Sequence, residues 1–262
     1  MGLAVTLCVA ATTAQAGESL DRVLAAKILA LAVDEDYPPF SSRNHDGAIT
    51  GFDIDIAQEI AARLGVTLKI VTPGWNAIMA GHWQGQWDIA MGAIEPTAEH
   101  GAVLEFAAIY ADAPAVILVH NGTSIAGIAD LEGGRIGVEA GSVYEAYLRG
   151  ENATPGSALH DAVIITYEVE PFGIDDLARK EDSAIDAMVV SLLTAHDAIG
   201  IGKPVAIAGP PLFHRPFVIA ADKGDPEFAA RIAEAVEAMR ADGTLTRLSV
   251  QDLGVDTAPP AP

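Results

Sequence analysis

Two stretches of this chain alternate strand and helix in the same way, and that alternation restricts the fold more than any other feature. Ser19 to Ala26 has the spacing of a short helix, and Ile28 to Val33 is a continuous apolar run, the pattern of a buried strand. Asp34-Glu35-Asp36-Tyr37-Pro38-Pro39-Phe40 interrupts it, because consecutive prolines cannot continue a ladder. Ile54, Ala57, Ile60, Ala61 and Leu64 then recur at helical spacing, with Asp55, Gln58, Glu59 and Arg63 opposite and Gly65 closing the helix. Thr67–Val71 reads as a strand, Trp75–Trp83 as a helix and Asp88–Gly92 as a strand. The pattern returns with strands at Arg135–Glu139, Val163–Tyr167 and Ile185–Val190 and helices at Ser142–Arg149 and Ile174–Lys180. Strands joined through helices form a parallel sheet, so the fold class is α/β. Trp87-Asp88-Ile89-Ala90-Met91 and Ile185-Asp186-Ala187-Met188-Val189 echo each other, each with an Asp at the entry of a strand.

Two α/β lobes built alike follow from this repetition. The chain crosses between them at the apolar strand Ala113–His120 and again at Val205–Phe213, which contains Gly209-Pro210-Pro211. Two crossings make the first lobe discontinuous, with residues 17–115 and 212–256 in lobe 1 and 116–211 in lobe 2. The Ala/Pro-rich tail, residues 257–262, is expected to be disordered. Met1 to Ala16 carries no charged side chain, has an apolar run at Leu3–Ala11 and ends in the small-x-small site Ala14-Gln15-Ala16. Residues 1–16 are therefore expected to be a signal peptide. Its removal would take away Cys8, the one cysteine, leaving no thiol chemistry.

Fifteen Lys plus Arg against 36 Asp plus Glu give a net charge of −21, which repels phosphate backbones. With no basic patch to offset it, nucleic-acid binding is excluded. The sequence holds no GxSxG elbow, no HExxH and no complete phosphate loop, and the seven histidines form no i, i+4 pair. No catalytic residue, metal site or cofactor is expected.

Polar and aromatic residues do gather where strands end, which is where open α/β sheets bind ligands. Asp34 and Tyr37 follow the first strand, Trp75 the second, and Gly92-Ala93-Ile94-Glu95-Pro96-Thr97 the third. Gly141-Ser142 opens a helix after a strand. It is either an anion site through unpaired N–H groups or a plain N-cap.

A resemblance emerges from Leu31-Ala-Val-Asp34-Glu-Asp-Tyr37-Pro-Pro-Phe40, Gly51-Phe52-Asp53-Ile54-Asp55, Gly85-x-Trp87-Asp88, Pro96-Thr97-x-Glu99, Asp130-Leu131-x-Gly133 and Gly137-Val138-x-Ala-Gly141-Ser142. In order and at family spacing, from about Leu20 to Asp256, the chain resembles the polar amino-acid solute-binding proteins of ABC importers. The resemblance implies a type II periplasmic-binding-protein fold, two α/β lobes joined by two hinge strands and closing on a solute. It implies a periplasmic monomer that serves an ABC permease and ATPase and is not an enzyme. Two alternatives stay open: an enzyme on this scaffold like the cyclohexadienyl dehydratases, and a ligand sensor without a transport role.

Carried over position by position, the resemblance implies ligand contacts from Asp34, Tyr37, Phe52, Trp75, Gly92, Ala93, Glu95, His100, Glu139, Gly141, Ser142, Val143 and Ser191. Tyr37 and Trp75 would sandwich the solute. Two positions depart from the family. His100 stands where an Arg usually clamps an α-carboxylate, and Ser191 where an Asp usually holds an α-ammonium. No Lys or Arg occurs from Val71 to Gly134, while Glu95 and Glu139 add carboxylates. The expected solute is therefore cationic or neutral. Arg215 is the one basic residue placed to supply a substitute clamp.

Overall fold

The computed structural model describes residues 18–151, 159 and 161–259, so the expected signal peptide and Cys8 lie outside the described residues. The chain opens with α1 (Glu18–Ala26), β1 (Ile28–Ala32), β2 (Asp36–Tyr37), β3 (Ser41–Arg43), β4 (Ile49–Thr50) and α2 (Phe52–Leu64). It continues with β5 (Thr67–Val71), α3 (Trp75–Met79), β6 (Ile89–Ala90), α4 (Ala98–Val103) and β7 (Leu104–Asp112). β8 (Ala115–His120), β9 (Arg135–Glu139), α5 (Val143–Leu148), β10 (Val163–Tyr167), α6 (Glu170–Leu177), β11 (Ala187–Ser191), α7 (Leu192–Gly200) and β12 (Val205–Phe213) come next. β13 (Pro216–Asp222), α8 (Pro226–Ala241) and α9 (Thr244–Leu253) close the chain.

The described residues form two compact units, one of those up to 108 with 218–241 and one of those from 109 to 217 with 242–259. In unit 1 the sheet order is β5-β1-β6-β13-β7, with β5, β1 and β6 parallel and β13 antiparallel to β6. In unit 2 the order is β10-β9-β11-β8-β12, with β10, β9 and β11 parallel and β8 antiparallel to its neighbours on both sides. The two sheets thus repeat one plan. Ile78, Trp83, Trp87 and Ile94 form a core with Ala30, Ala32, Ala90 and Val218 of the first sheet. Tyr144, Tyr147 and Leu148 of α5 cover one face of the second, and Ile174, Leu177, Ala195 and Ala198 of α6 and α7 belong to its other core.

The sequence echo at Asp88 and Asp186 has a physical basis. Asp88 N–H donates to Ala30 O at 2.9 Å, and Asp88 Oδ2 accepts from Ala30 N–H at 2.8 Å. Its Oδ1 takes Arg22 Nη2 at 2.9 Å. In unit 2, Asp186 N–H donates to Arg135 O at 2.7 Å, while Asp186 Oδ2 accepts from Arg135 N–H at 2.9 Å and Oδ1 from Arg135 Nη2 at 2.6 Å. Each carboxylate ties the entry of one strand to its parallel neighbour and meets an arginine.

Three expectations change in detail. The helix from Trp75 stops at Met79, because Gly81, His82, Gln84 and Gly85 all turn to positive φ. Trp83 then points into the core, 1% exposed, with Nε1 donating to Ile78 O. The unit boundaries fall at 108/109 and 217/218, away from the expected 115/116 and 211/212, and α9 groups with unit 2. Asp112 N–H donates to Thr257 O, and Gly254 lies beside the His196 ring, which together place residues 254–257 there. The expectation of a disordered tail from residue 257 is corrected for Thr257: it is 3% exposed and bonded to Ser249. Its neighbours Ala258 and Pro259 are half-buried.

Asp88 is 8% exposed and holds an amide and a guanidinium, so Asp88→Ala is expected to cost about 2–3 kcal/mol. The Arg135–Asp186 pair is half exposed, with side chains 45% and 50% accessible, and Asp186→Ala is expected to cost about 1 kcal/mol or less. Urea unfolding of the two variants checks the order, and equal losses would contradict it.

Candidate functional site

In unit 1 the parallel strands β5, β1 and β6 all end at one edge, and their continuations carry the expected residues. The loop after β1 is pinned by helix α2, whose Phe52 and Asp53 N–H groups donate to Pro39 O and Phe40 O. The Tyr37 ring lies on Phe40, with centroids 5.3 Å apart and planes inclined by 16°. Asp34 Oδ1 accepts from Asp36 N–H at 3.0 Å, a local turn that orients its carboxylate. Trp75 starts α3 directly after the Thr72–Gly74 loop. Asp34, Tyr37, Trp75, Gly92 and Ala93 line one concavity of about 420 Å³. Tyr37 and Trp75 remain 41% and 38% exposed, a large apolar area left open to solvent.

Gly92 shapes this hollow. Its φ of +140° lies outside the range of ordinary side chains, and a Cβ there would stand 2.9 Å from Trp75 Cζ3. Bare backbone therefore lets the indole settle against the end of β6. Ala93 follows at φ +51°, a left-handed conformation rare for alanine and concentrated at binding sites.

Other expected residues of unit 1 stand differently. Phe52 is a core residue, 1% exposed and edge-on to Phe40 at 6.3 Å, so the expected ligand contact is corrected. It opens α2 with its ring directed inward, which its place in the Gly51-Phe52-Asp53 motif did not reveal. His100 follows the N-cap Thr97, which accepts its N–H at 3.1 Å. Its Nδ1 stands 2.7 Å from the backbone carbonyl of Glu95, an oxygen that only accepts, so Nδ1 carries the proton.

In unit 2 the same kind of edge is formed by the ends of β9, β10 and β11. Ser142 is the N-cap of α5: its Oγ accepts from Glu145 N–H and donates to Glu139 O. Glu145 reaches back and accepts Gly141 N–H at 2.7 Å, and Arg149 donates to its other oxygen. These partners hold the Glu145 carboxyl below the usual glutamate range, with Gly141 the larger cause. The reading of Gly141-Ser142 as an anion site is corrected: the chain's own carboxylate already holds the Gly141 donor. Val143 follows as a 38% exposed apolar residue.

Ser191 is the N-cap of α7 and the centre of a network that spacing did not reveal. Its Oγ accepts from Leu193 N–H at 3.2 Å and bonds to the Tyr144 hydroxyl. Its N–H donates to Glu170 Oε1 at 3.1 Å, and Thr194 also bonds the Glu170 carboxylate. Arg215 Nη1 donates to Tyr144 Oη at 2.5 Å, and its guanidinium lies over that ring, 5.3 Å from the centroid. Burial pushes the Tyr144 phenol up, and Arg215 pulls it back. Burial also raises the Glu170 carboxyl, as does the charge of Glu139, against the lowering bonds from Thr194 and Ser191 and the charge of Arg215. Asp112 accepts the Arg215 N–H at 2.9 Å and contacts His214, which fixes the base of the Arg215 segment. Glu170, Tyr144 and Thr194 were missed in the sequence. The available signal was the end of the strand Val163–Tyr167, where Glu170 precedes Pro171.

The profile of the bacterial extracellular solute-binding proteins, family 3, matches residues 29–254, and the chain belongs to that family. It is 28% identical over 240 residues to the L-cystine-binding protein TcyJ of Escherichia coli K12, covering 90% of this chain and 86% of that one. It is 28% identical to an L-arginine-binding protein of Pseudomonas aeruginosa, covering 86% and 87%. A cyclohexadienyl dehydratase of the same organism is 41% identical, over 93 residues only, 35% of each chain. The unliganded L-cystine solute receptor of Neisseria gonorrhoeae superposes with a TM-score of 0.80 at 23% identity, covering 93% of this chain and all of that one. The fold is the expected type II periplasmic-binding-protein fold, and most of these relatives are binding proteins.

Gly92→Ala is expected to displace Trp75 and to cost about 2 kcal/mol, since the residue enters a disfavoured φ and a contact of 2.9 Å. Urea unfolding followed by tryptophan fluorescence reads both effects. A loss under about 0.5 kcal/mol with unchanged emission would show that the ring moves aside at little cost.

Proposed function

We propose that this protein is the extracytoplasmic receptor of an ABC importer and captures a small amino-acid-related solute that is cationic or neutral. The concavity bounded by Asp34, Tyr37 and Trp75 carries this reading. Two exposed aromatic rings and one carboxylate at a strand edge suit a flat or positively charged group. A permease and an ATPase are proposed to receive the solute.

The site chemistry disfavours an ordinary α-amino acid held by its carboxylate. Such a carboxylate needs a charge-assisted donor. The position expected to clamp it holds His100, whose Nδ1 is engaged with Glu95 O. The helix terminus at Gly141 is closed by Glu145. The names of the relatives, one for L-cystine and one for L-arginine, bracket neutral and cationic amino acids. The dehydratase reading is weaker, because the sequence relatives matched over most of their length are named as binding proteins, while the dehydratase relative matches over about a third. A signalling role without transport would leave the solute chemistry unchanged.

Calorimetry against amino acids, amines and guanidines tests the reading. A cationic or neutral solute is expected to bind, and Trp75→Ala is expected to weaken it by about 1–3 kcal/mol. At 100 times its Kd the solute should add about 2.7 kcal/mol to stability. Sub-micromolar binding of an acidic α-amino acid would overturn the assignment of solute charge.

A further inference from the structure

Unit 2 holds a carboxylate whose position calls for a cation from outside the chain. Glu170 begins α6 shortly beyond β10, is 8% exposed, and reaches across the strand ends to the N–H of Ser191 at 3.1 Å. Its other bond is from Thr194, so both of its donors are neutral. Among the described residues it forms no ion pair. The other carboxylates buried to this degree in unit 2 are otherwise placed: Asp112 meets His214 and Arg215 N–H, and Asp176 meets Arg179, Tyr167 and Ala184 N–H. A buried carboxylate without a cation is costly to keep ionised, and a positive group brought to it gains several-fold more than at the surface.

We infer that Glu170 is the specificity-determining residue of unit 2: its carboxylate recognises the ammonium or guanidinium group of the solute at the Ser191 edge. This rests on the proposed solute-receptor function and adds the group that reads the charge. Ser191 presents a hydroxyl and Glu170 stands directly behind it on the Ser191 amide, so the negative charge of this edge belongs to the neighbouring helix. Arg215 lies over the Tyr144 ring and its charge favours ionisation of Glu170, with no ion pair between the two. Glu139 adds a second negative charge that acts on Glu170. With Glu170 and Glu139 against Arg215, the groups acting at this edge sum to one negative charge. A cationic group enters such an edge favourably, and an anionic one does not.

The raised Glu170 carboxyl gives a second readout. An acid whose folded pKa exceeds its unfolded value contributes stability that is complete below the unfolded pKa and lost as pH rises through the folded one. The groups that act on it are Glu139, which disfavours ionisation, Arg215, which favours it, and Tyr144, whose phenol is itself raised. Glu170→Gln removes that loss while its amide oxygen still accepts from Ser191 N–H.

The experiment is calorimetry at neutral pH with L-arginine, with agmatine, which keeps the guanidine and amine but has no carboxylate, and with the neutral isostere L-citrulline. The wild-type protein, Glu170→Gln, Glu170→Asp and Glu170→Gln/Ser191→Asp are compared. Wild type is expected to prefer the cationic probes to citrulline by at least about tenfold, the effect of roughly one good charge contact. Glu170→Gln is expected to lose that preference while its thermal midpoint without solute at neutral pH is at least that of wild type. Glu170→Asp, which keeps the charge, should retain most of the preference, and the double variant should regain part of it. If the cationic probes bind wild type and Glu170→Gln alike, within twofold, the inference is overturned while the receptor function stands. If no probe binds wild type, the proposed solute class is at fault and Glu170 loses its assigned role with it. Should Glu170→Gln fold poorly, a Glu170→Asp variant that folds but binds the cationic probes no better than citrulline overturns the inference equally.

Discussion

A carboxylate that closes two parallel strands at their entry is the interaction on which each unit depends. Parallel neighbours are not joined by a tight turn, so nothing local sets their register. A slip of one residue would turn every core side chain to the wrong face. Asp88 and Asp186 each remove that freedom by bonding both the N–H and the carbonyl of one residue on the adjacent strand. With register fixed at the entries, the opposite ends of β5, β1 and β6, and of β10, β9 and β11, arrive at common edges. The loops at those edges carry the polar and aromatic residues. These residues are therefore placed by interactions at the far end of each sheet, away from the edge they line.

The edges differ in how they use charge. In unit 1 the groups are aromatic faces and a single turn-forming aspartate, with a glycine whose bare backbone leaves room for an indole. In unit 2 they are buried hydrogen-bonded groups in a continuous network from Leu193 through Ser191 to Tyr144 and Glu170. A network of this kind is rigid when satisfied and expensive when broken. Glu145 combines several tasks in the same way. One side chain caps a helix, satisfies the Gly141 amide and anchors Arg149, and in doing so closes a terminus that would attract an anion.

Much of this was legible from residue order. The alternation of apolar runs and helical periodicity marked the strands and helices of both units, since each period reflects which face is buried. Gly65 read as a helix end and sits at φ +71°. Asp34, Tyr37 and Trp75 read as strand-end residues, and they line one hollow because parallel strands end together. What was not legible depended on contacts distant in sequence. Glu170 and Ser191 are 21 residues apart, and only the neighbouring of β9 with both β10 and β11 brings them together. Phe52 belongs to a recognisable motif, but a motif does not say which way a ring at a helix start points. Thr257 lies in an Ala/Pro-rich tail whose composition suggested disorder, and long-range bonds to Asp112 N–H and Ser249 fix it.

The charge of the whole chain and the charge of the edge act at different ranges. A net charge of −21 raises the local concentration of cations and repels anions. At physiological ionic strength the field of an exposed charge decays within about 8 Å, so most of those carboxylates affect the rate of encounter and little else. A charge at about 4 Å in a partly buried site, at an effective dielectric constant near 20, interacts with about 4 kcal/mol. On the proposed role of Glu170, one carboxylate so placed outweighs the many on the surface in deciding which solute stays bound. A uniformly acidic protein can on this account still be selective among cations. On that proposal the surface would admit them at similar rates, and the groups fixed at the strand ends would decide how long each remains.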